Sequence, residues 1–319
     1  MSLAICLLAY SMAVAVLGPA PLLSMTRDGA APRLGVAAWL LAIVSVLAAW
    51  LGAAVLSVVQ LVDSWDHLGR VLTGCMSGLR VIALGGYGSA LQVGLLSLAA
   101  LSLVALGLLT TRVGLALRRT RLRTRAHALT ARIAAGDAPL GPGGALVIDS
   151  AEPAVYCLAG RPRTVVITKA ALAALDGAQL AAVLAHEQAH LRGRHHHLLA
   201  LTQALGRILS GPRLFVDGAA EVARLLEMCA DDAAARRHGR DTVADALLAL
   251  VLPGGGASRA PSAALAAAGV GVAARVERLL FPPDPARARI ALSLTLAAGL
   301  LSPPIATGLT VLVPMLCGG

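Results

Sequence analysis

The chain has 319 residues, a net charge of +10 and a composition that is 57 % hydrophobic, with a mean hydropathy of +0.77. That is too apolar for an ordinary soluble domain and points to a membrane protein. Aromatic residues make up only 3 % and no zinc-knuckle or RNA-binding pattern is present, so the basic charge is not expected to bind nucleic acid directly.

Taken from the N-terminus, four charge-free stretches stand out, at 3–25, 34–62, 81–111 and 290–319. Each exceeds the roughly 20 residues needed to cross a hydrocarbon core, which predicts four transmembrane helices. Pro19 and Pro21 predict a kink near the end of the first. This stretch lacks a basic lead-in and a small-residue cleavage site, so it is read as a retained span. After the third stretch come Arg112, Arg118, Arg119, Arg121, Arg123, Arg125 and Arg132, and basic residues stay on the cytoplasmic side, facing an anionic leaflet. The expected organisation is therefore three spans in 1–111, a cytoplasmic domain over 112–289 and a fourth span at 290–319, with both termini outside. Lys169 is the only lysine beside many arginines, alanines and glycines, a composition typical of a GC-rich bacterial genome and hence of a bacterial inner membrane.

Within the cytoplasmic region, 136–144 is turn-rich, and 145–149, 155–159 and 164–168 predict short strands rich in Val and Ile. Gly160-Arg161-Pro162-Arg163 would join the last two as a hairpin. Asp176 with Gln179 predicts a capping box and a helix starting at Gly177. That helix carries His186-Glu187-Gln188-Ala189-His190, an HExxH pattern. Residues four apart share a helix face, so both imidazoles reach one metal ion with Glu187 beside it. In such sites the glutamate takes a proton from metal-bound water and passes it to the leaving amine.

A second helix is expected over 217–238. Read alone, its Glu227 and Asp231 are an exposed charged face. Beside an HExxH helix, Glu227 becomes the third metal ligand, and Asp231, one turn further on, holds the free N–H of a ligand histidine. Consecutive His195, His196 and His197 point in different directions and cannot share one ion, so they are expected at the surface or around the site. The five cysteines show no CxxC spacing and make no disulfide framework; Cys229 is read as a buried thiol. Pro253-Gly254-Gly255-Gly256 should end a helix beginning near Asp241, and 263–280 leads back to the membrane. Its Arg275-Val276-Glu277-Arg278-Leu279-Leu280 receives no chemical role at this level.

HExxH followed by ExxAD resembles the gluzincin peptidases of the HtpX/Ste type, and is more similar still to the BlaR/MecR integral-membrane metallopeptidases. Ala154-Val155-Tyr156-Cys157-Leu158, Arg161-Pro162, Val165-Val166-Ile167-Thr168 and the apolar lead-in at 180–185 share that likeness. The resemblance implies a mainly α fold, four transmembrane helices with a cytoplasmic α+β gluzincin-like zinc peptidase domain inserted between the third and fourth. It implies one Zn²⁺ per chain on His186, His190 and Glu227, Glu187 as general base and acid, and Asp231 supporting a ligand histidine. The implied activity is a membrane-anchored, regulatory zinc endopeptidase that cleaves a cytoplasmic protein such as a BlaI/MecI-type winged-helix repressor. Alternatives are HtpX-like turnover of membrane proteins, or a non-catalytic membrane receptor that keeps the fold. Sensing members carry a penicillin-binding domain after the last span; this sequence stops at Gly319, so direct β-lactam sensing is not expected. An intramembrane protease is disfavoured, because the apolar run before the motif, 180–185, is far too short to span.

Overall fold

A computed structural model describes residues 2–63, 87–136, 140–158, 164–251 and 262–299. The N-terminal stretch forms α1 (Ser2–Leu17) and α2 (Pro19–Thr26), bent by 44° where Pro19 opens the second helix. A short turn leads into α3 (Pro32–Asp63). In that turn Gly29 adopts φ 61°, and a Cβ there would collide with the Met228 sulfur. Over Pro32–Leu56, α3 has a mean hydropathy of 2.3 and is long and apolar enough to cross a membrane, although a buried core helix has the same length and composition. α4 (Tyr87–Ala135) runs without a break through the boundary expected between residues 111 and 112. Parts of the expected third and fourth spans, at 81–86 and 300–319, lie outside the described residues, so four spans are not shown; residues 285–299 form a further helix, α11.

Three strands follow α4: β1 (Leu146–Ile148), β2 (Val155–Leu158) and β3 (Thr164–Thr168), each within the stretch read as a strand. Their order is β1-β3-β2, with β1 parallel and β2 antiparallel to β3, and Tyr156 opposite Val166. The hairpin turn expected at 160–163 falls outside the described residues. β3 supplies the buried centre of the sheet, and β2 is an edge.

The helical part continues with α5 (Lys169–Ala174), α6 (Gly177–Arg192), α7 (His195–Ile208), α8 (Arg213–His238), α9 (Arg240–Val251) and α10 (Ser262–Leu280). The expected cap at Asp176 is present: its side chain accepts from the Gln179 backbone, and the Gln179 side chain accepts from the Asp176 backbone. One apolar core joins the two parts of the chain. Trp39, Ile43 and Val46 of α3 pack with Leu214, Phe215, Val222 and Leu225 of α8. Gly218 makes the close approach possible, since a Cβ there would lie 3.1 Å from Ile43. The helix that carries Glu227 and Asp231 is thus seated directly on the apolar N-terminal helices.

Candidate metal centre

Helix α6 presents His186 and His190 one turn apart, and both are buried. Their Nε2 atoms lie 3.1 Å from one another. From α8, Glu227 reaches in, with Oε2 3.5 Å from Nε2 of His186 and Oε1 3.3 Å from Nε2 of His190. Three electron-rich atoms thus converge with a cation-sized gap between them. Ligands bound to a tetrahedral metal at about 2.0–2.1 Å are separated by roughly 3.3 Å, close to these distances. The donor set of two imidazoles and a carboxylate fits a catalytic metal that keeps one position open.

Asp231, 0 % exposed, sits behind His186, its Oδ1 3.0 Å from Nδ1. That nitrogen has the distance of a hydrogen bond but not its alignment, and both Asp231 oxygens accept from Arg275, whose Nε donates at 2.7 Å and Nη2 at 2.6 Å. Nη1 of Arg275 also lies 3.2 Å from Glu227 Oε2. One guanidinium from α10 therefore fixes both carboxylates of α8. Burial opposes the charge on Asp231, but Arg275 and His186 outweigh it and hold its carboxyl below the usual range. Glu227 is only partly buried; desolvation opposes its charge too, but hydrogen bonding to His186 and His190 and the nearby Arg275 hold it below the usual range. In the metal-free site, burial works against a charged His186, yet Asp231 and Glu227 raise it to about 9. A proton then takes the place that a metal cation would fill.

The sequence treated the three histidines alike, but the structure separates them. Nδ1 of His195 lies 2.9 Å from Nδ1 of His190, and its ring is buried. The rings of His196 and His197 lie against each other at a tilt of 43°, with centroids 4.0 Å apart. The turn before α7 makes this difference. Arg194 adopts a left-handed φ of 52°, and the His195 ring occupies the space that a side chain at Gly193 would need. Burial first, then the nearby His190, pull His195 down to about 4, so it is neutral at ordinary pH. A neutral His195 accepts a hydrogen bond from His190 Nδ1–H, which leaves Nε2 of His190 free to face the metal position.

Glu187 is partly buried on the same helix. Burial raises its carboxyl above the usual range, while His186, His190 and a hydrogen bond from the Cys157 thiol pull the other way. Cys157, on β2, is pushed up to about 12 by burial and by Glu187, and remains a thiol. A carboxylate poised higher than usual beside a metal site has the character of a general base. Cys229 is buried near the arginines of α8 and α10 and contributes no ligand atom to the cluster.

Residues 116–267 match the model of Peptidase family M48. The matched stretch holds the sheet, the HExxH helix, Glu227 and Asp231, and supports a metallopeptidase acting on proteins or peptides. No curated protein and no solved structure matches the chain. Arg275 lies beyond the matched residues, and its role comes from the geometry alone.

Proposed function

We propose that this chain is a membrane-anchored zinc endopeptidase. The single observation that carries the reading is the convergence of His186, His190 and Glu227 nitrogen and oxygen atoms within 4.8 Å, backed by Asp231, Arg275 and His195. Bound there, zinc would polarise the scissile carbonyl and supply an activated water. The chain's own residues do the rest. Glu187 accepts the water's proton and delivers it to the leaving nitrogen. His195 and Asp231 orient the two ligand imidazoles, and Arg275 keeps Asp231 and Glu227 ionised. β2, an edge of the sheet next to α6, is the candidate platform on which an extended substrate adds as a further strand.

Membrane anchoring draws on the exposed apolar side chains that collect along α1, α3, the first half of α4 and α11. Met12, Val16, Val44, Leu51, Leu103 and Leu294 are examples. The substrate assignment, a cytoplasmic protein such as a winged-helix repressor, rests on the resemblance to BlaR/MecR peptidases and would make the enzyme regulatory. Turnover of membrane proteins is the competing role, and a repressor gene beside this one would favour the first.

The test needs no substrate. Metal mass spectrometry on detergent-purified protein should find about one zinc per chain, with much less in His190→Ala and Glu227→Ala. An absence of zinc after chelator-free purification would overturn the reading. With zinc established, Glu187→Gln is the inactive control for a substrate search.

A further inference from the structure

Behind the metal helix lies a second site that the peptidase chemistry does not use. A cavity of about 570 Å³ opens between the start of α3, the ends of α6 and α8, and the start of α7. It is lined by Arg33, Arg192, Arg236 and Arg237, all exposed, together with the apolar Val36, Leu198 and Leu226. The four arginines come from three helices. Among the described residues none has a carboxylate within ion-pair distance, and the polar partner of Arg192 is the neutral Gln188, at 2.7 Å. Crowding like charges without a counter-charge is unfavourable unless an anion takes part. Planar guanidiniums match phosphate oxygens in two-pronged fashion, and apolar side chains in the same lining suit a ligand that is charged at one end and greasy at the other.

The position narrows the choice further. Arg33 is the second residue of α3, at the point where the apolar stretch Pro32–Leu56 begins, so the cavity mouth lies at the level where a spanning helix meets water. We infer that this cavity binds the phosphate headgroup of an anionic phospholipid, and that the bound lipid seats the peptidase against the bilayer. The inference rests on the reading above that α3 spans the membrane. It reaches the metal centre through one residue: His195 lines the cavity and contacts His190 at 2.9 Å. Lipid occupancy therefore fixes the turn that orients a zinc ligand.

The test uses the full chain in mild detergent. Thermal unfolding is followed with added phosphatidylglycerol, phosphatidylcholine or inorganic phosphate, and bound lipid is counted by native mass spectrometry. Phosphatidylglycerol should raise the melting temperature where phosphatidylcholine does not. Each arginine removed should weaken binding about fivefold, so Arg236→Gln with Arg237→Gln should weaken it roughly 25-fold. An Arg240→Gln variant on exposed α9, outside both the cavity and the basic stretch of α4, should bind as the parent does. Arg33→Gln, on a different helix, gives an independent reading should the double variant fold poorly. Equal lipid affinity in parent and cavity variants, or an equal loss in the Arg240 variant, would overturn the site in favour of diffuse attraction. Stabilisation by inorganic phosphate alone would overturn the lipid and leave a soluble phosphate ligand. Zinc counted in the same samples keeps the two readings apart: lipid bound without zinc would sink the peptidase and spare the cavity.

Discussion

Helices α3 and α6 are both built on alanine, leucine and valine, yet they treat their few polar groups in opposite ways. In α3, Trp39, Ser45 and Trp50 are satisfied within the apolar bundle. Trp50 Nε1 donates to Ser11 Oγ at 3.1 Å, Trp39 Nε1 reaches Thr26 Oγ1 at 3.5 Å, and Ser45 returns to the Ala42 carbonyl at 2.9 Å. Large apolar side chains such as Val44, at 57 % exposed, face outward. This is how a helix behaves when no water is at hand to complete its hydrogen bonds. In α6 the logic is reversed: alanines and leucines make the packed face, while His186 and His190 are buried with their metal-facing nitrogens left to one another and to Glu227. Placing unsatisfied polar groups in a core costs free energy unless a cation, or a proton, completes them. A span economises on polar chemistry, and a site concentrates it.

Breaking the concentrated side should have the largest effects. Glu187→Gln should lower peptide hydrolysis by about 10²–10⁴-fold while zinc content holds, because the general base is lost and the ligands are not. His190→Ala should abolish both. A Glu187→Gln enzyme with parental activity would place proton transfer elsewhere.

Next in size is Arg275. With it replaced by Met, Asp231 becomes a buried carboxylate without its partner, and losing one member of a buried ion pair costs about 3–5 kcal/mol. Adding Asp231→Asn to Arg275→Met should recover part of that stability, since the uncompensated charge is gone. Unfolding midpoints of the three variants check this. A single variant as stable as the parent would show that the pair is a bystander.

The metal-free site should also respond to pH. His186, raised to about 9 in the folded protein from an ordinary 6.5, gives stability that is complete below about pH 6.5 and lost as pH climbs through 9. Glu187, also raised, acts in the same direction. Glu227 and Asp231, both depressed, give stability that is present above their ordinary values of 4.5 and 3.8 and lost as pH falls below them. The melting temperature of chelator-treated protein should thus be highest near pH 4.5–6.5, falling on the acid side with Glu227 and Asp231 and on the alkaline side first with Glu187 and then with His186. Loaded with zinc, the alkaline fall should flatten, since the metal replaces the proton. An unchanged alkaline limb would argue against His186 as a ligand.

These elements also show what local sequence can and cannot convey. The HExxH face and the Asp176–Gln179 cap were legible, because each is set by spacing within one helix. Arg275 was not: its partner Asp231 lies 44 positions away, on a helix that α10 reaches while packing mainly on α9. His195 could not be told from its two neighbours, since the left-handed Arg194 decides which ring turns inward. The apolar stretches were plain in composition, but the polar helix α8 gave no hint that Phe215 and Leu225 would share a core with Trp39.

The smallest effects sharpen the contrast between the two helices by comparing a bond in each setting. Asp176→Ala removes the cap of α6 and should cost about 1 kcal/mol, as caps exposed to water usually do. Ser11→Ala removes the Trp50 partner inside the apolar bundle. If that bond were made in a soluble core, a buried donor would be stranded, at about 1–3 kcal/mol. Between helices in a bilayer, side-chain hydrogen bonds average only about 0.6 kcal/mol, because the separated helices find other partners. Ser11→Ala should therefore cost less than Asp176→Ala, although its bond is the more buried. Measured in bicelles by thermal unfolding, the opposite order would place α1 and α3 in a water-surrounded core and remove the support for a span.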